Sequence, residues 1–359
     1  MTKTVLQIVQ HLKPGGIETM ALDLQQHLGN CHVHIVSLEG TKTQALRNWP
    51  RLKTRKEQLH FLNKKPGFSL TTVFKLMGLM KKLKVDAVHT HHIGPLTYGG
   101  TAARLCRIKH LVHTEHDAWH LENTRAAKLE GRLLRHLKPE LVADCMLVAQ
   151  KLQKLTKTAV PYVIYNGIDT QRFCPATQHE KVNARRHFSL PQGVPLVGCA
   201  ARLEEVKGIS YLIAAMSYMP ENTYLAIAGE GSFMERLQRQ ASFNHCENRI
   251  LFLGRLEQMD LFYKAIDVFC LPSLNEGFPL SPLEAQACNV PAVITDVGGA
   301  KETLCPKTGS LIQPYNAHEL KTALEKKLFC INKSSSSDFV KSRADIRLMT
   351  TAYAKLLEV

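Results

Sequence analysis

The segment NEGFPLSPLEA, residues 275–285, places two carboxylates eight residues apart in a loop that contains Gly and Pro. Glu276 follows the apolar run DVFCLPSL, so we expect it at the carboxyl end of a strand, where Gly277 lets a ligand approach the backbone closely. Glu284 falls three residues after Ser281, with Pro282 between them. That spacing predicts a capping box at a helix N-terminus, and a helix N-terminus also suits a phosphate. Glu284 is therefore either a cap or a ligand for ribose hydroxyls beside that phosphate.

Three more loops follow predicted strands and could bind an anion. In ARLEEVKG, residues 201–208, Arg202 and Lys207 could clamp a diphosphate, although two solvated loop charges are the alternative. The other loops are Gly-rich turns without the spacing of a dinucleotide or Walker fingerprint. They are AGEGS, residues 228–232, which contains Gly229 and Gly231, and KPGGIET, residues 13–19, where Gly15 and Gly16 leave backbone N–H groups to face an anion.

Histidines cluster in two further strand-like segments, VHTHH at residues 88–92 and VHTEHD at residues 112–117. Strand alternation puts His113 and Glu115 on one side, as it does for the first two histidines of VHTHH. A metal site can be imagined from such residues, but no familiar zinc spacing occurs. We favour a polar lining for a binding cleft, with His116 and Asp117 near a reacting centre.

Strand-like and helical patterns must alternate to position these loops. Five apolar strand segments separated by helical patterns precede PYVIYNGID, and a second series of similar size follows it. This order predicts an α/β protein with two doubly wound Rossmann-like domains, residues 1–165 and 166–338, facing across a central cleft fed by strand-end loops. The Ser-rich segment NKSSSSD, residues 332–338, is expected to be a linker or a helix boundary.

The basic charge of the chain is confined to its first part. Residues 1–165 contain 25 Lys and Arg against 11 Asp and Glu, whereas residues 166–359 are nearly neutral with 21 against 20. Such a distribution indicates an anionic partner, which could be nucleic acid, an acidic membrane or an acidic acceptor, or else a merely solvated surface. The ten cysteines form no disulfide or zinc framework. Without an apolar run of membrane-spanning length or a signal peptide, we expect a cytoplasmic protein.

Taken together, the motifs resemble glycosyltransferase family 4, the retaining nucleotide-sugar transferases of GT-B fold. The resemblance follows the order KPGG, YNGID, ARLEEVKG, AGEGS, FLGRL, NEGFPLSPLEAQA and TDVGGAKE, and its most specific part is Glu276 with Glu284. TEHD departs from the family pattern, because Glu115 stands where an apolar residue is more usual. The resemblance also implies that a C-terminal helix, residues 339–359, packs back on the first domain.

The resemblance implies a role for each matching residue. Glu276 would contact the donor sugar, Glu284 the nucleotide ribose, and Arg202 with Lys207 the donor diphosphate, where they stabilise charge on the leaving group. His116 and Asp117 would face the donor sugar and acceptor, and no catalytic metal is needed. The remaining residues implied in donor binding are Gly15, Gly16, Gly229, Gly231, Gly254, Arg255, Leu256, Gly277, Phe278, Pro279 and Leu280.

The leading hypothesis is a retaining transferase that moves a hexose or N-acetylhexosamine from a nucleotide diphosphate sugar to a glycan or lipid-linked acceptor. We favour a UDP-sugar, with GDP-mannose as the alternative, and a role in bacterial-type surface polysaccharide or glycolipid synthesis. A peripheral association with an anionic membrane is our preferred explanation for the basic half. The alternatives are an epimerase or phosphorylase of the same fold and, less favoured, a nucleic-acid-binding protein, for which no recognised module is present.

Overall fold

The computed structural model describes residues 2–29, 31–117, 119–329 and 335–359. The chain divides into two compact units: unit 1 comprises Met1–Gly167 and Ile346–Val359, and unit 2 comprises Ile168–Asp345. Each unit is built on one sheet whose paired strands all run parallel. These two parallel sheets confirm the predicted α/β class with two Rossmann-like units.

Unit 1 contains a seven-stranded sheet. Its strands are β1 Lys3–Val9, β2 Cys31–Ser37, β3 Leu59–Phe61, β4 Ala87–His91, β5 His110–Glu115, β6 Glu140–Ala143 and β7 Tyr162–Val163. They lie in the order β3-β2-β1-β4-β5-β6-β7, so the order reverses between β1 and β4. The helices are α1 Gly16–His27, α2 Lys42–Asn48, α3 Leu70–Leu83, α4 Ile93–Pro95, α5 Thr101–Leu105, α6 Thr124–Leu137 and α7 Met146–Thr156.

Apolar residues cover both faces of the unit 1 sheet. Leu6 and Ile8 of β1 face a core that includes Leu76 of α3 and Leu134 of α6. Val5 points to the other face, because side chains alternate along a strand. Strand β4, AVHTH, is fully buried although three of its five residues are polar. A buried polar strand has to satisfy its side chains by hydrogen bonding, which makes it informative about function.

Unit 2 contains a six-stranded sheet. Its strands are β8 Leu196–Ala200, β9 Tyr224–Ala228, β10 Ile250–Gly254, β11 Val268–Leu271, β12 Ala292–Thr295 and β13 Ser310–Ile312. They lie in the order β10-β9-β8-β11-β12-β13, with the reversal between β8 and β11. The helices are α8 Gln178–His187, α9 Ile209–Met216, α10 Met234–Phe243, α11 Met259–Ala265, α12 Ser281–Ala287, α13 Ala317–Phe329 and α14 Ser336–Arg343.

The C-terminal segment differs from the single helix expected over residues 339–359. It forms α14, which belongs to unit 2, and α15, Ile346–Leu357, which belongs to unit 1. Between them, Asp345 forms a β-bridge with Ile168 and accepts a hydrogen bond from the Thr170 hydroxyl. This bridge interrupts the helix. Tyr353 and Leu357 of α15 then pack on the same face of the unit 1 sheet as α1.

The structure bears on the expectations about the cysteines, the membrane-spanning segments and the Ser-rich segment. The nine cysteines that the structure describes are all free thiols, six of them buried. Among the described residues, none of the helices has both the length and the apolar content needed to cross a bilayer. Residues 332–338, predicted to be a linker or a helix boundary, contain the start of α14. Ser335 caps that helix by accepting a hydrogen bond from the Asp338 amide, and residues 332–334 lie outside the described residues.

Candidate functional site

The loops after β8 and β11 meet at the reversal of strand order in unit 2. Open parallel sheets bind ligands at the carboxyl ends of their strands at such a point. Lys207, from the loop after β8, places its Nζ 2.7 Å from Glu276 Oε1, from the loop after β11. The two side chains are 18% and 8% exposed, so the pair is shielded from bulk water yet reachable. The structure therefore brings together two residues that the sequence analysis predicted for one site.

Three further residues fix the position of Glu276. The Ser273 hydroxyl donates to Glu276 Oε1 at 2.6 Å, and the Thr295 hydroxyl of β12 donates to the Ser273 carbonyl. Gly298, with φ of +54°, lies so close that an added Cβ would stand 1.7 Å from the Glu276 carbonyl oxygen. Only glycine fits there without moving the Glu276 loop. Sequence reasoning missed these supporting residues, although the GG of TDVGGAKE, directly after a strand, is a usable signal.

The turn AGEGS packs directly against the loop that carries Arg202 and Lys207. Cβ atoms added at Gly229 and Gly231 would lie 1.9 Å from the Ala201 carbonyl oxygen and 2.3 Å from the Leu203 carbonyl oxygen, respectively. The Leu203 amide in turn donates to the Glu230 carbonyl at 2.9 Å. Gly229 and Gly231 thus allow the backbone of this turn to lie directly against the backbone of the loop after β8. This structural role is additional to their predicted role in donor binding.

Glu284 lies in the first turn of α12, but the predicted capping box is wrong. Ser281 is the first helical residue, and the preceding Leu280 makes no side-chain cap. The Glu284 carboxylate instead accepts a hydrogen bond of 2.7 Å from the hydroxyl of Tyr263, a fully buried residue of α11. Burial, reinforced by the negative charge of Glu284, raises the pKa of Tyr263 and keeps its hydroxyl protonated as a donor. The sequence carries no signal for this pairing.

The remaining residues predicted for unit 2 lie in the same strand-end loops. Arg202 is exposed in the loop after β8. Gly254, with φ of +66°, ends β10 and accepts a hydrogen bond from the Gly229 amide. Arg255 is exposed and pairs with Glu257 at 2.9 Å. In the loop between Glu276 and α12, Phe278 is buried, whereas Gly277, Pro279 and Leu280 are half-buried. Leu256, after β10, is half-buried too.

The glycine loop after β1 already faces a carboxylate of the protein. Gly15 is the N-cap of α1, and a Cβ added to it would stand 2.4 Å from Glu18 Oε2. Gly16 is exposed. Glu18 Oε1 lies 2.9 Å from His11 Nδ1, and this contact raises the pKa of His11 against the opposing effect of burial. A carboxylate therefore lies near the N-terminus of α1, where the sequence analysis predicted an anion.

A chain of hydrogen bonds sets the proton on His116. The Gln7 side-chain amide donates to the Ala21 carbonyl at 2.8 Å, so Gln7 Oε1 is an acceptor, 3.3 Å from His91 Nε2. Burial, aided by neighbouring histidines, lowers the pKa of His91 well below its usual value, so the neutral ring donates from Nε2. His91 Nδ1 is then an acceptor, 3.0 Å from His116 Nε2. His116 consequently carries a proton on Nε2.

The other ring nitrogen of His116 faces a buried carboxyl. His116 Nδ1 lies 3.3 Å from Asp144 Oδ2, which also accepts from the Asn166 amide at 3.2 Å. Burial raises the pKa of Asp144, although His116 opposes that effect. Both ring nitrogens of His116, a residue only 4% exposed, are thus engaged within unit 1. Its predicted contact with donor and acceptor stays a prediction.

Asp117 and Glu115 share a second histidine. His92 Nδ1 is hydrogen-bonded to Glu115 Oε1, and His92 Nε2 lies 3.6 Å from Asp117 Oδ2. Burial would raise the pKa of Glu115, but His92 and His113 outweigh burial and hold that pKa well below its usual value. Glu115 Oε1 also accepts from the His116 amide at 3.2 Å. Glu115, a departure in the sequence, is therefore an ionised buried carboxylate at the centre of this cluster.

Two all-parallel, doubly wound units with strand-end loops of this composition define a protein of the GT-B class. Family comparison agrees: residues 14–172 match Glycosyltransferase Family 4, and residues 180–336 match Glycosyl transferases group 1. The chain belongs to this glycosyltransferase family, which confirms the resemblance stated from the sequence.

Curated relatives match over parts of their length. A Corynebacterium glutamicum GDP-mannose-dependent monoacylated alpha-(1-6)-phosphatidylinositol monomannoside mannosyltransferase is 33% identical over 44% of each chain. An Escherichia coli UDP-Gal:alpha-D-GlcNAc-diphosphoundecaprenol alpha-1,3-galactosyltransferase is 29% identical over 64% of this chain. The matches cover only 44% and 62% of these relatives' own lengths.

Solved structures match over the whole fold. A glycosyltransferase from Rickettsia africae superposes with a TM-score of 0.85 at 23% identity, covering 99% of both chains. Anabaena HepE, in complex with UDP and glucose, superposes with a TM-score of 0.84 at 21% identity, again covering 99% of both chains. At these identities the similarity establishes the GT-B fold.

Proposed function

We propose that this protein is a retaining glycosyltransferase that moves a hexose or N-acetylhexosamine from a nucleotide diphosphate sugar to a glycan or lipid-linked acceptor. The observation that carries the proposal is the Lys207–Glu276 contact at the reversal of strand order in unit 2. A cation and a carboxylate held together there can serve the two ends of one donor, the diphosphate and the sugar. The relatives are named glycosyltransferases, which does not favour an epimerase, a phosphorylase or a nucleic-acid-binding protein.

The roles of the residues follow from their chemistry. Lys207 and the exposed Arg202 neutralise the diphosphate and stabilise the charge that develops on it as the glycosidic bond breaks. Glu276 binds the donor sugar, and Glu284, oriented by Tyr263, accepts hydrogen bonds from the ribose. Because two cationic side chains supply the charge, we propose that the transfer needs no metal at the diphosphate.

The donor base and the sugar are finer proposals. We favour a UDP-sugar, in line with the galactosyltransferase named for UDP-Gal and with HepE bound to UDP, and keep GDP-mannose as the alternative from the mannosyltransferase. A thermal-shift series with UDP, GDP, ADP and their common sugars tests this choice, since the nucleotide that binds the folded protein raises its midpoint.

Two substitutions test the site once that donor is known. Glu276→Gln should retain nucleotide binding and lower release of nucleotide from the donor by about 100-fold or more, because a contact to the reacting sugar is lost. Lys207→Ala should weaken binding of the nucleotide diphosphate itself as well. Lys321→Ala is the matched control, because Lys321 makes an ion pair of 2.6 Å with Glu325 on α13. Unchanged turnover in both site variants, with normal thermal midpoints, would reject the assignment.

We also propose that a surface of unit 1 around α3, which combines exposed apolar side chains with lysines, binds an anionic membrane that carries the acceptor. Phe68, Leu70 and Phe74 are 74%, 62% and 67% exposed at the start of α3. Exposed lysines continue along and past the same helix: Lys75, Lys81, Lys82 and Lys84. Aromatic side chains beside lysines are typical of helices that lie in the membrane interface.

Flotation with liposomes tests the membrane proposal. The protein should float with anionic vesicles and much less with neutral ones, because the lysines need an acidic surface. Phe74→Glu should reduce flotation with anionic vesicles several-fold by adding a negative charge to the surface around α3. Phe243→Glu, at an 83% exposed position in unit 2, is the matched control and should float normally. Equal recovery with both vesicle types would remove the proposal.

A further inference from the structure

The core stripe of α6 contains one charged residue. Ala127, Leu134 and Leu137 face the apolar core of unit 1, and Glu130, fully buried, occupies the position between them. A charged side chain on the inner face of an amphipathic helix is rare unless it has a partner. The side chains around Glu130 therefore show what compensates its burial.

Two side chains of β5 converge on Glu130. His113 and Glu115 are two residues apart on the strand, so their side chains point to the same face of the sheet. Both are fully buried. His113 Nε2, Glu115 and Glu130 each offer one ligand atom, and these atoms lie within 4.8 Å of one another. The set joins one imidazole nitrogen to two carboxylates inside a protein core.

Two of these ligand atoms have no hydrogen-bond partner among the described residues. His113 Nε2 and Glu115 Oε2 are buried and lie 3.7 Å apart, which is beyond hydrogen-bonding distance. Their other polar atoms are used: His113 Nδ1 bonds the Thr90 hydroxyl at 2.9 Å, and Glu115 Oε1 bonds His92. Leaving buried polar atoms unpaired costs about 1–3 kcal/mol each, so each of these two atoms calls for a water molecule or an ion opposite it.

The separation of the two atoms matches metal coordination. A tetrahedral zinc binds imidazole nitrogen and carboxylate oxygen at about 2.0–2.2 Å, which puts two ligand atoms about 3.4 Å apart. The observed 3.7 Å needs only a small closure. Two carboxylates and an imidazole also balance the charge of a divalent cation. An imidazole ligand favours zinc-type cations over Mg²⁺ or Ca²⁺, which prefer oxygen.

We propose that His113, Glu115 and Glu130 bind a first-row divalent cation, with Zn²⁺ as the representative ion. All three ligands are fully buried, so the role of the ion is structural. Glu115 Oε1 bonds His92 and the His116 amide. A cation held by Glu115 Oε2 therefore fixes the start of the segment that carries His116 and Asp117. His92, Glu115 and Asp117 form a second, half-exposed group of ligand atoms, but there His92 Nδ1 already bonds Glu115.

Zinc titration of the EDTA-dialysed, full-length protein tests the site, with a competing chelator to measure affinity. We expect one tight equivalent of Zn²⁺ and a higher thermal midpoint with Zn²⁺ than with Mg²⁺. His113→Gln and Glu130→Gln should weaken that equivalent at least tenfold. His89→Gln is the control and should keep it, since His89 belongs to the same cluster but bonds Thr114 rather than a proposed ligand. Unchanged binding in His113→Gln or Glu130→Gln, or no tight equivalent, overturns the proposal.

X-ray absorption of the zinc-loaded wild-type protein decides the matter if either ligand variant fails to fold. One nitrogen and two carboxylate oxygens from the protein around zinc support the site. A shell dominated by imidazole, such as surface histidines would give, overturns it, because the proposed set holds only one histidine.

Discussion

The position of Glu276, in the loop after β11, depends on Gly298, in the loop after the neighbouring strand β12. Gly298 has a left-handed φ, and its Cα approaches the Glu276 carbonyl oxygen so closely that no side chain fits. Glu276 is therefore fixed from both sides, by the Ser273 hydroxyl at its carboxylate and by Gly298 at its backbone.

Gly298→Ala should abolish donor turnover by displacing the Glu276 loop, beyond the backbone strain of about 1–2 kcal/mol. Gly193→Ala is the matched control in unit 2: φ is +70° and nothing lies within 4 Å of an added Cβ, so it should lower the thermal midpoint while leaving turnover intact. The two readouts are the melting temperature and nucleotide release. Equal turnover in the two variants would show that the close approach at Gly298 does not matter.

Single residues also show where sequence reasoning ended. Glu276 and Lys207 could be predicted because each follows an apolar strand, and parallel strands end at one edge of a sheet. Tyr263 could not, because it lies on the buried face of α11, where a tyrosine resembles any core aromatic residue. Only the folded structure shows that its hydroxyl reaches Glu284.

At the scale of elements, helix starts are where the sequence pattern and the structure disagree most clearly. Ser281 and Glu284 have capping-box spacing, yet Ser281 lies inside the first turn of α12. Thr177 and Glu180 have the same spacing and do form a capping box at α8. The difference arises because Tyr263 engages the Glu284 carboxylate from outside the helix.

Thr177→Ala should therefore lower the free energy of unfolding by about 1 kcal/mol, because the Glu180 amide loses its acceptor. Ser281→Ala should change it by less than about 0.5 kcal/mol. Denaturant unfolding of the two variants provides the measurement. A larger loss for Ser281→Ala than for Thr177→Ala would restore the cap predicted from the sequence.

Most strands of both sheets could be predicted because continuous apolar runs mark buried parallel strands. Strand β13 escaped prediction since it has only three residues, and α6 escaped because Glu130 interrupts its apolar stripe. The split between α14 and α15 was missed as well, because the pattern continues while the break is made by the bridge between Asp345 and Ile168.

At the scale of the whole molecule, the buried histidines make unit 1 sensitive to acid. Burial lowers the pKa of His89 and His91 well below the usual value of about 6.5, so both are neutral in the folded protein. The unfolded chain takes up protons at these positions below that pH and the folded chain does not. Stability therefore falls as the pH drops below about 6.5, by up to about 1.4 kcal/mol per pH unit for each histidine.

Thermal midpoints between pH 5 and 8 test this dependence. The wild-type midpoint should fall below pH 6.5, and His89→Gln should fall less steeply because one proton-binding difference is removed. His11, whose pKa Glu18 raises, acts in the opposite direction, so His11→Gln should steepen the acid loss. Parallel curves for wild type and His89→Gln would mean that His89 is not the titrating group.

The return of α15 to unit 1 has a consequence for how the protein is made. Unit 2 is one uninterrupted stretch of chain, whereas unit 1 needs residues from both sides of it. On the ribosome, Tyr353 and Leu357 emerge only after all of unit 2 has been synthesised, a wait of roughly ten seconds or more at 5–20 residues per second. During that interval the cluster that contains Met20 and Leu24 of α1 lacks the side chains of α15, so the first unit to begin synthesis is the last to complete its core.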